Sequence, residues 1–107
     1  MIADYDDVGT IQEVLQAWLD KHDLAHDCVF WNREEWIARD EDFGKCAHLV
    51  LCCGQQLEIV LNGYSEGWVD LVDELDDLLE DAGWSRELAY CYLYFFPTDC
   101  NGYPVKA

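Results

Sequence analysis

The sequence predicts an α+β fold, a two-layer sandwich in which an antiparallel sheet of about four strands carries two main helices packed on one face. Three observations lead there. Residues 10–22 and 68–82 repeat apolar side chains at helical spacing. Residues 26–31, 46–61 and 88–96 alternate, or run apolar, over strand lengths and are rich in β-branched and aromatic residues. No Pro-, Gly- or Ser-rich stretch divides the 107 residues, so one acidic α+β domain spanning 1–107 is expected.

The first helix is expected over 10–22. Thr10 and Glu13 stand in the S/T-x-x-E relation that satisfies the first free N–H groups of a helix. Ile11, Val14, Leu15, Trp18 and Leu19 then form one stripe, with Glu13, Gln16, Asp20 and Lys21 off it. Residues 26–31 read as a strand, with Cys28 and Phe30 on one side and Val29 and Trp31 on the other. Asn32 and Glu35 suit the cap of a short helical turn through Trp36 and Ile37. Residues 46–53 and 56–61 are expected to form an antiparallel hairpin about a turn at Gly54-Gln55. Asn62-Gly63 ends that hairpin, and Ser65 is placed to cap the next helix.

That helix has the clearest pattern in the chain: Trp68, Leu71, Val72, Leu75, Leu78, Leu79 and Ala82 keep one uninterrupted stripe. Gly83 supplies a stop, and Trp84 is expected to fold back on the last turn. Residues 88–96 form the last strand, with Ala89, Cys91, Leu93 and Phe95 on one face and Leu88, Tyr90, Tyr92, Tyr94 and Phe96 on the other. Pro97 ends it and a polar tail follows. Packing both long helices on one sheet face buries each stripe once, which turns the tyrosine face outward or toward a partner.

Charge narrows function more than any motif does. Asp and Glu number 23 against 6 Lys and Arg, a formal net charge of −17, while 51% hydrophobic content guarantees a core rather than a disordered acidic chain. Direct binding to nucleic acid or to an anionic membrane needs a basic patch that six cations do not build; a basic partner fits. The N-terminal segment lacks the basic and apolar regions of a secretory signal, and no apolar run is long enough to span a bilayer, so a cytoplasmic protein is expected. There, its six cysteines are expected to be reduced, and several fall in apolar runs as small core residues.

On the long helix, Glu66, Asp70, Asp73, Glu74, Asp76, Asp77, Glu80 and Asp81 face away from the apolar stripe. Like charges at i,i+3 and i,i+4 cost a helix about 0.2–0.5 kcal/mol per pair, and no basic residue lies between Glu66 and Asp81. A charge run of this kind ordinarily just keeps a face wet; the charge of the whole chain gives equal weight to a docking surface. Carboxylates one turn apart recur every ~5.4 Å, close enough to stand in for phosphates. The expected partner-binding residues are Glu66, Asp70, Asp73, Glu74, Asp77, Glu80 and Asp81, with Tyr92 and Tyr94 as rigid aromatic anchors. Tyr90 is expected to join a minor second core.

No catalytic fingerprint occurs, so no enzyme, cofactor or metal is expected. Residues 40–44 resemble a calcium loop only superficially, since Leu51 stands where the bidentate Glu belongs. His26 with Cys28 and Cys46 with His48 place a His and a Cys two apart on each of two expected strands; paired in register, these would make a zinc site, a competing metal-binding reading. Vicinal Cys52 and Cys53 read as alternately buried thiols.

In size, acidity and α+β plan the chain resembles two groups of small inhibitors, the phage anti-CRISPR or DNA-mimic proteins and the immunity proteins that neutralise nuclease toxins. The first resemblance implies an acidic inhibitor in the host cytoplasm that occludes a basic, nucleic-acid-binding surface of a defence nuclease complex. The second implies a cognate toxin as partner. The resemblance covers the whole chain as composition and layout and assigns no individual residue. Adaptation to high salt also yields acidic surfaces, but it sits poorly with six cysteines and 14% aromatics.

Overall fold

In the computed structural model, residues 8–40, 46–63, 66–89 and 91–98 are described. Their elements run α1 (Val8–Lys21), β1 (Val29–Asn32), α2 (Arg33–Ala38), β2 (Leu49–Cys52), α3 (Gln55–Leu61), α4 (Trp68–Ala82), β3 (Trp84–Ala89) and β4 (Tyr92–Pro97). The strands form one antiparallel sheet in the order β1-β2-β4-β3. The fold is thus α+β with a four-stranded antiparallel sheet, the class the sequence predicts.

The central pair sets the architecture. Leu49 lies opposite Phe95 and Leu51 opposite Leu93, while Val50 lies opposite Tyr94. Because neighbours along a strand point to opposite sides, these registers sort the side chains into two clusters. Leu49, Leu51, Leu93 and Phe95 pack with Ile11, Leu15, Trp18 and Leu19 of α1, Leu57 and Val60 of α3, and Leu75 and Leu79 of α4. Val50, Tyr94 and Phe96 pack with Trp36 of α2, flanked by Trp31 and Tyr92. The sheet therefore carries apolar side chains on both faces.

α2 caps the second cluster and begins as expected. Asn32 Oδ1 accepts from the Glu35 backbone N–H at 2.8 Å, and Glu35 Oε1 accepts from the Asn32 N–H at 3.0 Å, a complete capping box. This anchors six residues that are too few to be helical alone. Trp36, 1% exposed, meets Tyr92 and Tyr94 edge-on at ring separations of 5.2 and 6.0 Å. Arg39 lies 4.5 Å over the Trp31 ring and 5.5 Å over that of Trp36.

The expected hairpin of 46–53 with 56–61 does not form, for 55–61 is helical. Leu57 and Val60 are buried three residues apart, with Glu58 and Ile59 exposed between them. A short apolar run fits either period, and the choice is made by packing. Gly54 touches the 24–28 loop so closely that a Cβ there would lie 2.0 Å from His26 O. Its N–H donates to Cys28 Sγ at 3.3 Å, and that thiol donates to Leu24 O at 3.2 Å. With the edge beside β2 already taken by β1, the chain turns away into α3.

The last strand is likewise a hairpin of two, with Leu88 opposite Leu93 and Ala89 opposite Tyr92. Leu88 therefore shares a side with Leu93 rather than with the tyrosines, and Trp84 opens β3 as a buried residue in the same cluster as Leu75 and Leu79 of α4. Gly83 does end α4 in the left-handed conformation, at φ 77°. α1 starts at Val8, so Thr10 lies inside the helix and makes no cap. α4 starts after Gly67 without a side-chain cap. Ser65, Tyr90, residues 41–45 and the tail beyond Thr98 lie outside the described residues.

Substituting Gly54→Ala should destabilise the protein by about 2–3 kcal/mol, because a methyl group would collide with backbone rather than with a movable side chain. Urea unfolding at neutral pH measures this. A loss below about 0.5 kcal/mol would show that the 24–28 loop yields freely.

Candidate acidic docking surface

The apolar stripe of α4 determines where its acids point. Counted at about 100° per residue, Asp70, Asp73, Asp77, Glu80 and Asp81 lie opposite the stripe, while Glu74 and Asp76 fall on its two flanks. The flanks meet neighbours. Lys21 Nζ donates to Glu74 Oε1 and His22 Nε2 to Glu74 Oε2, both at 2.6 Å, joining α4 to the end of α1. On the other side Arg86 grips Asp76 with two bonds, Nε to Oδ1 at 2.7 Å and Nη2 to Oδ2 at 3.2 Å. Arg86 reaches it because it stands opposite Phe95, on the sheet side that α4 covers.

Two of the acids are therefore relieved by cations that the linear order hides. The other five, Asp70, Asp73, Asp77, Glu80 and Asp81, are exposed and enter no ion pair among the described residues. They run over 12 residues, 70–81, about 16 Å of helix from first to last. Glu66, also expected on this face, is exposed but precedes the helix. Glu74 belongs to the α1–α4 junction more than to the outward row. Its hydrogen bond from Lys21, then that from His22, hold its carboxyl below the usual glutamate range.

The expected tyrosine anchors lie elsewhere. Tyr94 is 3% exposed beneath Trp36, and Tyr92 is half-buried beside it, their rings 6.3 Å apart. This is the second core rather than an outward face for Tyr94, and it lies on the sheet side opposite α4. The acidic row and the tyrosines cannot share one flat contact. The apolar residues that do neighbour the row are Trp68 and Val69, both exposed at the start of α4; helical spacing places Trp68 in the apolar stripe, but in the first turn of the helix it is left exposed.

The four residues of the zinc reading are not brought together. β1 and β2 pair antiparallel with Val29 opposite Cys52 and Asn32 opposite Leu49, so Cys28 sits near one end of that pair and Cys46 and His48 near the other. His26 is exposed beside Asp27. Among the described residues no group of three or more His, Cys, Asp or Glu side chains is arranged to hold a metal ion. Cys28 instead neighbours Cys52 and Cys53, Cys91 neighbours the same two, and the Cys53 N–H donates to Cys91 O at 2.7 Å. Burial pushes the Cys28, Cys52 and Cys53 thiols up, and the neighbouring sulfurs push Cys52 and Cys53 further. Such thiols stay protonated at neutral pH and are poor nucleophiles.

The chain matches no family model, no curated protein and no solved structure. No helix among the described residues is long and apolar enough to cross a membrane.

Glu74→Gln should destabilise the protein relative to Asp73→Asn, which removes the same charge from the outward row. Since the folded carboxyl titrates below its ordinary value, the tether's contribution is fully present above about pH 4.3. It disappears as the pH falls below that through the depressed folded value. Denaturation midpoints of the two variants should therefore differ at pH 7 and converge in acid; equal midpoints at pH 7 would show that the tether contributes nothing.

Proposed function

We propose that this chain is an acidic protein inhibitor that occludes a basic, nucleic-acid-binding surface of a defence nuclease complex, in the manner of anti-CRISPR or DNA-mimic proteins. The observation that carries the reading is the selective pairing along α4. Cations meet Glu74 and Asp76, the two acids that face neighbouring elements, while Asp70, Asp73, Asp77, Glu80 and Asp81 remain exposed and without ion pairs among the described residues. A helix with its flanks anchored presents its outward carboxylates on a rigid rod, so little side-chain and backbone ordering remains to be done on docking.

The partner is cytoplasmic and basic, and binds through Lys and Arg that otherwise contact phosphates. Trp68 and Val69 at the N-terminal end of the row supply apolar contact area. Mechanistically the inhibitor competes for the site: complementary charge speeds encounter, and nucleic acid and inhibitor exclude each other.

The test is association with nuclease effector complexes, measured at rising salt and against competing nucleic acid. Binding should weaken steadily with salt and be displaced by nucleic acid. Replacing Asp70, Asp73, Asp77, Glu80 and Asp81 with Asn or Gln should weaken it by about tenfold or more, given ~0.2–1 kcal/mol for each exposed pair. Asp76→Asn, which alters a flank, should leave affinity within about twofold. Salt-independent binding, or full activity in the five-fold variant, would reduce the acidic row to a solubilising coat.

A further inference from the structure

The cations of this chain are disposed unevenly. Lys21 pairs with Glu74, Arg86 pairs with Asp76, and Arg39 covers two tryptophan rings. Arg33 differs. With acids outnumbering Lys and Arg 23 to 6, no carboxylate among the described residues pairs with it, and its Nε is buried with no hydrogen-bond partner.

The adjacent acids are unavailable for a structural reason. Glu35 turns back to accept from the Asn32 N–H in the capping box, and the Asn32 oxygen is taken by the Glu35 N–H. Glu34 follows Arg33 directly on α2, and successive helical residues do not face one another. A buried donor left unmade in the chain is costly, and since that Nε–H is enclosed while the rest of the half-buried guanidinium is not, an acceptor from outside reaches Arg33 through its Nη groups.

Arg33 also lines a cavity of about 360 Å³, with Val8 at the start of α1, Asn32, Glu34 and His48. It sits where β1 ends and β2 begins. His48 is 2% exposed and meets the Trp84 ring edge-on at 6.1 Å, so the imidazole is a fixed wall. The volume falls in the range of small-molecule sites, which combine apolar walls with a few placed polar groups.

We propose that this cavity binds a small organic carboxylate, whose oxygens accept from the Arg33 guanidinium and whose carbon skeleton lies against Val8 and the His48 ring. A guanidinium fork matches a carboxylate in geometry and charge. A single negative charge fits better than two, because Glu34 lines the same cavity and the whole chain is strongly anionic.

The test uses the full chain and three probes: benzoate, its neutral isostere benzamide, and inorganic phosphate. Amide and arginine Nε–H resonances are followed by NMR during each titration. Benzoate should give saturable shifts confined to Val8, residues 32–34, His48 and the Arg33 Nε–H, at an affinity about tenfold above that of benzamide, with phosphate weaker than benzoate. Arg33→Gln should reduce benzoate to the level of benzamide, whereas Lys21→Gln should leave it unchanged. Equal binding of benzamide and benzoate, or shifts that scatter without saturating, would overturn the site. Phosphate binding as tightly as benzoate would overturn the carboxylate assignment. The benzoate and benzamide comparison on the unaltered chain decides the matter even if the Arg33 variant fails to fold.

Discussion

β2 and β4 lie side by side at the centre of the sheet, and both are apolar on both faces, with Leu49 and Leu51 meeting Phe95 and Leu93 on one side and Val50 meeting Tyr94 on the other. An antiparallel sheet commonly leaves one face to water, but this one cannot. Val50, Tyr94 and Phe96 need a cover, and α2 provides it with one tryptophan, one capping box and an arginine over two indole rings. On the other side the larger cluster draws in α1, α3 and α4. The placement of every helix follows from that doubly apolar pair.

α4 shows how such burial tolerates an unfavourable surface. Acidic neighbours along the helix oppose it by about 0.2–0.5 kcal/mol per pair. Complete burial of a leucine contributes about 1.5–3 kcal/mol, and Leu75 and Leu79 are both buried, with Leu71, Val72 and Leu78 partly so. The stripe outweighs the repulsion, and ion pairs on the two flanks reduce it further. The outward acids can then remain unneutralised without loss of the fold.

The two ends of the β1–β2 pair differ in chemistry. Beside Cys53 and Gly54 stand thiols whose burial keeps them protonated, and a glycine held against backbone. At the end where Asn32 faces Leu49 lie Arg33, His48 and a cavity. Cationic and imidazole groups collected at one place in so acidic a chain form a local environment distinct from the helix face, and the two features can act independently.

The sequence by itself determined the elements that depend on near neighbours. The 3-4 spacing of α1 and α4, the stop at Gly83, the Asn32–Glu35 capping box and the net charge are all local quantities, and each was legible. Residues 56–61 were not, since a short apolar run satisfies a strand period and a helix period alike, and Gly54 lying against His26 decided between them. Nor was the fate of Tyr94, because the same alternation that put it opposite Leu93 could not say that Trp36 would cover it. The division of the acids into tethered and free belongs to tertiary structure alone. Glu74 meets Lys21 across 53 positions and Asp76 meets Arg86 across 10, and contacts at such separations are set by how helices and strands pack rather than by any pattern along the chain.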